Sequence, residues 1–252
     1  IQSITKKAIV EKLKEKYKKD YFYEDGAKYA IKIQGNKDTF IIMIDTSGDP
    51  LHKRGYRAIK NEAPIKETMA AALVLLSGWA RRGIPMMDPM CGTGTLLIEA
   101  AMIARNIAPG SNRNFASEKW DFIPEQDWLD VRDDAFSMED YDREVKIYGS
   151  DIDPDTIEIA KTNIEKAGVE DDVILDCKNF LDMEVEDEFG ALITNPPYGD
   201  RLLDEESVER LYRLLGDVCR MRIPKWSYYI ITSNKNFEKC FGKKATKNRK
   251  LY

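Results

Sequence analysis

The chain of 252 residues can bury one sizeable core, and its 43% hydrophobic and 33% charged residues are typical of a globular protein rather than a disordered or fibrous one. Its longest apolar run, Met69–Leu76, is too short to span a bilayer, so we expect no association with membranes. The net charge of −5 is unevenly spread: residues 118–188 hold 25 acidic and 7 basic residues, whereas residues 234–252 hold seven basic and one acidic. A nucleic acid could dock on such basic ends, although solvated helix faces account for them equally well.

The first fifty residues predict a small α+β unit. Residues 3–19 have the apolar spacing of an amphipathic helix, and residues 27–35 and 38–48 read as two strands joined by a hairpin turn at residues 35–38. Such a unit buries little by itself, so we expect it to be the end of a larger domain. The predicted organisation is a first domain over residues 1–49, a linker over residues 50–63 and a second domain over residues 64–252.

From residue 65 onward, helices and strands are predicted to alternate. A helix is expected from Ile65 to Gly83, and further helices at residues 94–106, 154–168, 205–221 and 234–242. The intervening strands are expected at residues 84–90, 145–153, 172–177, 191–196 and 226–233. Strands separated by helices of this length predict a doubly wound, mostly parallel sheet, whose ligands bind beyond the carboxyl ends of the strands.

The first of these strands ends in a glycine loop that follows an acidic residue. Gly92 and Gly94 would let backbone N–H groups approach a ligand at a helix N-terminus. Leu97 occupies the position of the third glycine in the dinucleotide fingerprint, which disfavours a nicotinamide dehydrogenase. Asp88 would repel a pyrophosphate but suits a ligand that carries an ammonium group.

The next two strands end in side chains suited to a nucleoside. Asp151 could accept hydrogen bonds from both hydroxyls of a ribose, while Asp153 followed by Pro154 is typical of a helix N-cap. Asn179 either reads an adenine edge or occupies a turn. The long insertion of residues 106–145 is expected to pack as a lid or a helix of its own.

The fourth strand stops at the sequence Asn195-Pro196-Pro197-Tyr198. Two prolines fix two φ angles and end the strand, so this segment is a rigid corner that presents an amide and an aromatic ring. Together the strand ends offer sites for an ammonium group, a ribose, an adenine and a flat amine-bearing substrate. S-adenosylmethionine (SAM) fits this set.

Cysteine and histidine usage narrows the chemistry. The cysteines at positions 91, 177, 219 and 240 are scattered and are interpreted as buried small hydrophobic residues of a cytosolic protein. With His52 as the single histidine, neither a metal site nor a Ser-His-Asp or Cys-His mechanism is expected, and His52 is assigned a structural role.

With these residues in place, the chain resembles the THUMP-containing ribosomal RNA guanine methyltransferases. The resemblance covers nearly the whole chain through the segments LHKRGYR, APIKETMAAAL, DPMCGTGTLLIEAAMIARNIAPG, YGSDID and NPPYGDRL, in the family's order. It implies a Rossmann-like class I SAM methyltransferase domain, preceded by the C-terminal part of an α+β THUMP domain that binds RNA. The arginines of the first segment could contact RNA phosphates or equally form internal salt bridges.

The resemblance also implies roles for individual residues. Asp88 would bind the methionine amino group, the backbone around Cys91, Gly92, Thr93 and Gly94 would line the cofactor, and Thr68 would cover its methionine end. Asp151 would hold the ribose, Ile152 would pack on the adenine, and Asn179 stands where the family commonly has Asp. The catalytic residues would be Asn195, Pro196, Pro197 and Tyr198.

The expected reaction is methylation of the exocyclic amine of a guanine in large-subunit ribosomal RNA. The Asn195 amide oxygen and the Pro196 carbonyl would accept the amine hydrogens and localise the nitrogen lone pair, and Tyr198 would stack on the flipped base. Two alternatives stay open: an adenine-specific DNA methyltransferase, which uses the same corner, and a non-catalytic RNA-binding or ribosome-assembly protein.

Overall fold

The structure is a computed structural model that describes residues 1–57, 65–198 and 204–251. The chain divides into two compact units. The first comprises Ile1–Asp49 and Phe115–Glu125, and the second comprises Pro50–Asn114 and Gln126–Tyr252.

The first unit begins with a helix and a hairpin, as the sequence predicts. Helix α1 (Gln2–Tyr17) has no buried residue, so the apolar face expected for it is not covered within the unit. Strands β1 (Ala30–Asn36) and β2 (Thr39–Asp45) pair antiparallel, with Asn36 opposite Thr39. The turn between them is therefore two residues long, and Lys37 adopts a positive φ of 53° within it.

Part of the long insertion completes the first unit. The backbone N–H groups of Ala116 and Ser117 donate to the carbonyls of Ser47 and Thr46. The Trp120 indole donates to the Lys28 carbonyl at 3.1 Å, and its ring stacks on Tyr29 with the centroids 4.9 Å apart. The remainder of residues 106–145 lies in the second unit and contains helix α4 (Glu125–Ser137) from Gln126 onward.

The second unit is built from a five-stranded sheet and its helices. The strands are β3 (Met86–Asp88), β4 (Ile147–Asp151), β5 (Val173–Cys177), β6 (Ala191–Thr194) and β7 (Ser227–Ile230). The other helices of the described chain are α2 (Glu67–Ser77), α3 (Thr95–Ala104), α5 (Pro154–Ala167), α6 (Glu205–Arg222) and α7 (Phe237–Phe241). Each predicted strand and helix of this unit is confirmed, with shorter bounds at most ends.

The sheet order defines where a ligand can bind. The strands run in the order β5-β4-β3-β6-β7 and every neighbouring pair is parallel, which confirms the predicted doubly wound α/β sheet. The chain starts at β3, builds outward to β5, and then returns to the other side of β3 to form β6. The carboxyl ends of β3 and β6 therefore flank the point where the strand order reverses, the usual location of a ligand site in such sheets.

One predicted helix boundary is wrong. The helix expected to run to Gly83 ends at Ser77, because Gly78 adopts a left-handed φ of 65° and its N–H caps the Leu75 carbonyl. A short 3-10 turn at Trp79–Arg81 follows. The predicted N-cap of α5 is confirmed, since the Asp153 carboxylate accepts a hydrogen bond from the Asp155 N–H.

The segment before α2 packs into the second unit as far as the structure describes it. Tyr56 is buried and donates to the Glu99 carboxylate at 3.1 Å, and Arg54 pairs with the same carboxylate at 3.3 Å. Arg57 pairs with Glu67 at 3.1 Å. Of the two alternatives for these arginines, the structure therefore supports internal salt bridges.

The cysteine prediction is confirmed at three of four positions. Cys91, Cys219 and Cys240 are buried and free, whereas Cys177 is free but exposed at the end of β5. Within the described ranges, no helix is both long and apolar enough to cross a bilayer.

Candidate functional site

The predicted site residues converge on one cavity of the second unit. It has a volume of about 2660 Å³ and opens at the carboxyl ends of the strands, where twelve of the thirteen predicted residues line it. They are Thr68, Asp88, Cys91, Gly92, Thr93, Asp151, Ile152, Asn179, Asn195, Pro196, Pro197 and Tyr198. His52 also lines it. The volume exceeds the roughly 300–1,000 Å³ of a typical small-ligand pocket, so the cavity has room for more than one small molecule.

Gly94, the remaining predicted residue, lies behind the cavity wall. It adopts a φ of 81° at the N-terminus of α3, and a β-carbon there would stand 3.4 Å from that of Ala160. Its role in the structure is the close packing of the loop against α5.

The glycine loop after β3 is fixed by hydrogen bonds from two neighbouring elements. The Cys91 N–H donates to the Ser150 carbonyl and the Gly92 N–H donates to the Asp151 carboxylate, both at 2.9 Å. On the other side, the buried Asn163 amide of α5 donates to the Thr93 carbonyl at 3.0 Å. Gly92 has a φ of 53°, and none of the described atoms lies within 4 Å of the point where its β-carbon would stand. At Gly92 the loop therefore presents bare backbone to the cavity.

Asp88 is a buried carboxyl group in the cavity wall. It is 1% exposed and accepts a hydrogen bond from the Met90 N–H at 3.2 Å. Burial raises the pKa of Asp88 to about 7, and the nearby charge of Asp151 adds to the increase. A cationic partner in the cavity would offset both effects, so this position favours an ammonium group.

The Asp151 carboxylate holds the glycine loop and still has free hydrogen-bond acceptor positions. One carboxylate oxygen accepts from the Gly92 N–H and the other accepts from the Asp153 N–H at 3.2 Å. A carboxylate has about four acceptor positions, so both oxygens can accept again from a diol. The adjacent Ile152 side chain is 68% exposed and offers an apolar surface beside this acid.

Asn179 adopts the turn role that was one of its two predicted alternatives. Its side-chain oxygen accepts from the Leu181 N–H at 3.0 Å and caps the short 3-10 helix Phe180–Asp182. The amide NH₂ and the second acceptor position of the oxygen are then available to a ligand. Thr68 lies in the first turn of α2 and is exposed.

The proline corner after β6 carries a buried acceptor. The side-chain oxygen of Asn195 is buried and has no hydrogen-bond partner among the residues that the structure describes. Pro196 is buried, and Tyr198 is 36% exposed with its ring at the cavity. The rest of the motif, Gly199 to Leu202, lies outside the described residues. An orphaned buried oxygen is costly, which indicates a position for an external donor.

Sequence reasoning missed the residue that supports this corner, Tyr212 of α6. Its hydroxyl donates to the Pro197 carbonyl at 3.1 Å and lies 2.9 Å from the Thr232 hydroxyl, which in turn accepts from the Asn234 N–H. The Tyr212 ring is fully buried and packs edge-on against Phe237. Tyr212 lies in the apolar stripe of α6, so its burial is predictable from the sequence. The sequence does not indicate which group the Tyr212 hydroxyl contacts.

The described side chains offer no candidate metal centre. No three His, Cys, Asp or Glu residues within the described ranges are close enough together to hold a metal ion.

The fold and the position of the site define a class of protein. A parallel sheet of this order, with the cavity at the carboxyl ends of β3, β4 and β6, is the Rossmann-like fold of the SAM-dependent methyltransferases. The RMKL-like methyltransferase domain family, UPF0020, matches residues 54–252. The chain belongs to this family.

Curated relatives carry names that refer to RNA. The chain is 46% identical to the "Putative RNA methyltransferase YpsC" of Bacillus subtilis (strain 168), with all of this chain and 65% of that protein aligned. It is 39% identical to the ribosomal RNA large subunit methyltransferase K/L of Shewanella sediminis over 89% of this chain and 32% of that protein. The chain thus spans less than two thirds of the length of these relatives.

Solved structures give the same fold. SMU.472, described as "a putative methyltransferase complexed with SAH", is 46% identical with a TM-score of 0.91 over all of this chain and 66% of its own. A protein of Listeria monocytogenes described as a predicted N6-adenine-specific DNA methylase is 50% identical with a TM-score of 0.93 at the same coverage. The predicted fold class is confirmed, and the cofactor prediction is confirmed at the level of this methyltransferase class.

Proposed function

We propose that the chain is the methyltransferase part of an enzyme that methylates the exocyclic amine of a guanine in large-subunit ribosomal RNA, with SAM as cofactor. The observation that carries this proposal is the unpartnered, buried Asn195 oxygen on a rigid corner beside the glycine loop. The names of the RNA-related relatives support the substrate class.

The residues of the cavity fit the cofactor. SAM supplies a methyl group on a positively charged sulfur, which makes that carbon open to attack by a nucleophile. Asp88 would hold the ammonium end, because a cation relieves the cost of its buried charge. The open space at Gly92 gives room for close approach to the backbone. Asp151 would accept the ribose hydroxyls, and Ile152 and the Asn179 amide would face the adenine.

The proline corner would bind and orient the amine. Two acceptors, the Asn195 oxygen and the Pro196 carbonyl, would take the two hydrogens of the exocyclic nitrogen and localise its lone pair. The Pro196 carbonyl makes no hydrogen bond within the described part of the chain, whereas the Pro197 carbonyl is occupied by Tyr212. Tyr198 would stack on the base, a contact worth roughly 1–3 kcal/mol.

The first unit supports RNA over DNA as substrate. We propose that residues 1–49 are the C-terminal part of a THUMP domain that binds RNA, with the methyltransferase domain following residues 50–63, and that the protein acts in the cytosol. The runner-up is an adenine-specific DNA methyltransferase, because its substrate presents a similar flat amine to the same corner. A non-catalytic RNA-binding protein is disfavoured, since it would not require an orphaned acceptor at the cavity.

The deciding experiment compares nucleic acids as methyl acceptors. The chain is incubated with SAM carrying a labelled methyl group and either unmodified large-subunit ribosomal RNA or duplex DNA, and the labelled nucleoside is identified by mass spectrometry. We expect N2-methylguanine from RNA. Methyladenine from DNA alone would overturn the proposal in favour of the runner-up, and no transfer to either would favour the non-catalytic alternative.

Asn195→Ala tests the role of the corner. Because the variant lacks one of two proposed acceptors, we expect methyl transfer to fall by at least about 100-fold, as for loss of a preorganised donor in other enzymes, with little change in SAM affinity measured by calorimetry. Asn114→Ala is the matched control, since Asn114 is exposed and does not line the cavity. Equal loss of transfer and SAM affinity would mean that Asn195 belongs to the cofactor site.

A further inference from the structure

The charged residues that line the cavity are divided by the sheet. The aspartates Asp88, Asp151 and Asp153 lie at or just after the ends of β3 and β4, whereas most of the basic lining residues belong to the chain after β7, together with one carboxylate, Glu238. The proline corner follows β6, which lies between β3 and β7 in the sheet. A ligand that reaches across the corner therefore passes from an acidic side to a basic side.

The basic side is formed by a segment whose position is fixed. Gly242 ends α7 with a φ of 77°, which turns the chain away from the helix. The Glu238 carboxylate of α7 then accepts from the Ala245 N–H at 3.2 Å and from the Asn248 amide at 3.0 Å. These contacts keep the pKa of Glu238 below its usual value, the Asn248 bond being the main cause. Residues 242–251, called here the basic segment, are thus anchored along the cavity.

Two cations of the basic segment, Lys247 and Arg249, are available to a ligand in the cavity. The basic segment contains five basic residues and no acidic one. Lys247 and Arg249 form no ion pair with any described residue, and both line the cavity and are exposed. Lys243 lies over the Tyr228 ring at 5.3 Å, and Lys244 interacts electrostatically with Glu238, whose carboxylate also accepts from Ala245 and Asn248. The charges of Lys247 and Arg249 therefore face the cavity without an ion-pair partner among the described residues.

We propose that the basic segment binds the phosphates of the RNA strand on either side of the target base. The inference rests on the proposed function and adds to it the surface that receives the RNA backbone. A single strand presents one phosphate per nucleotide, so cations that line the same cavity as the corner suit the nucleotides that flank a base inserted between Asn195 and Tyr198. The acidic side of the cavity repels the same phosphates, which favours placement of the strand on the basic side.

The test is the salt dependence of RNA binding. A triple variant, Lys244→Gln with Lys247→Gln and Arg249→Gln, is compared with Lys146→Gln, Lys161→Gln and Lys166→Gln, whose positions lie outside the cavity. Binding of a labelled single-stranded fragment of ribosomal RNA is measured by fluorescence anisotropy at several salt concentrations. We expect the first variant to reduce the magnitude of the slope of log K against log salt by about 2, because each of three lost phosphate contacts contributes roughly 0.7. SAM affinity should be unchanged. We expect the control variant to keep the wild-type slope.

Glu238→Ala separates a positioned segment from general attraction. The change makes the chain more positive but removes both anchoring hydrogen bonds, so we expect RNA affinity to fall by about fivefold, a loss of roughly 1 kcal/mol. The proposal would be overturned by unchanged or stronger RNA binding of Glu238→Ala, or by equal slopes for the two triple variants. It would also be overturned if the Lys244, Lys247 and Arg249 variant lost binding of duplex DNA but not of RNA, or if the wild type bound no RNA. Failure of the proposed function shows separately, as absent methyl transfer by a wild type that binds RNA with the expected slope.

Discussion

Two adjacent strands, β3 and β6, end in segments that are held rigid by different means. The glycine loop after β3 has flexible residues, and its shape depends on hydrogen bonds to Ser150, Asp151 and Asn163. The corner after β6 has its φ angles fixed covalently by two prolines and needs one outside contact, from Tyr212 to the Pro197 carbonyl. The loop leaves open backbone for a ligand, whereas the corner leaves open acceptors.

The difference follows from what each segment is proposed to bind. A cofactor with many polar groups is bound by close backbone approach, which requires residues without side chains. An amine that must be aligned for attack is bound by a few acceptors at fixed angles, which requires a stiff backbone. Changes at the loop should therefore alter cofactor affinity, and changes at the corner should alter turnover.

Gly92→Ala should have the largest effect on the loop. A methyl group at this position would occupy the open space at the cavity, so we expect SAM affinity to fall by at least about 100-fold. Gly168→Ala is the matched control, because Gly168 also has a positive φ, 69°, with open space around it, but lies at the end of α5 outside the cavity.

Calorimetric titration with SAM and thermal melting separate the two effects. Both variants should lose about 1 kcal/mol of stability from backbone strain, and only Gly92→Ala should lose SAM affinity. Equal SAM affinity in the two variants would show that the loop does not face the cofactor.

Asp88→Asn should have the next largest effect, with opposite signs for binding and stability. Loss of a charge-assisted contact should weaken SAM binding by about 10–100-fold. The pKa of Asp88, about 7 in the folded chain, lies above its unfolded value, so its contribution to stability is complete at low pH and is lost as pH rises through 7. At pH 8 the variant without SAM should therefore be more stable than the wild type, by at most about 4 kcal/mol.

The pH dependence provides the check on this assignment. In the wild type, SAM affinity should decline as pH falls below about 7, because Asp88 becomes protonated, whereas the variant should show no such decline. The melting-temperature difference between the two proteins should shrink from pH 8 to pH 5. A wild-type SAM affinity that stays constant across this range would place the ammonium group elsewhere.

The sequence predicted most of the fold of the second unit for a physical reason. Strands such as β6, covered by helices on both faces, read as short apolar runs. In the helices between them the apolar residues recur every three or four positions. The end of α2 at Gly78 was missed, because a glycine inside an apolar helix pattern is ambiguous without its φ angle. The division of the insertion was unpredictable, since it depends on the contact between Trp120 and Lys28, which are far apart in sequence.

The site was predictable to the extent that it depends on strand ends. Parallel strands bring their carboxyl ends to one edge, so Asp88, Asp151 and Asn195 could be placed together from the order of elements alone. Contacts that depend on tertiary packing could not be predicted. The Asn179 cap and the Tyr212 hydroxyl both depend on which backbone group lies within about 3 Å.

Tyr212→Phe should have the smallest effect and the most specific one. The variant keeps the buried ring but leaves the Pro197 carbonyl and the Thr232 hydroxyl without their shared partner. Because that bond holds the corner from outside, we expect turnover to fall by about five- to tenfold, a loss of roughly 1 kcal/mol, while SAM affinity and the KM for RNA change little. The measurement is steady-state methyl transfer, well below the melting temperature.

A control variant distinguishes positioning from loss of stability. Tyr148→Phe removes the hydroxyl of a partly buried tyrosine, which contacts Asp187 and lies outside the cavity. If both variants lose similar stability but only Tyr212→Phe loses turnover, the hydroxyl acts by fixing the corner. If turnover falls equally in both, or if Tyr212→Phe changes KM instead of kcat, the prolines alone set the position of the acceptors. The corner would then be rigid without help from the rest of the fold, and the contrast with the glycine loop would be sharper than the hydrogen bonds suggest.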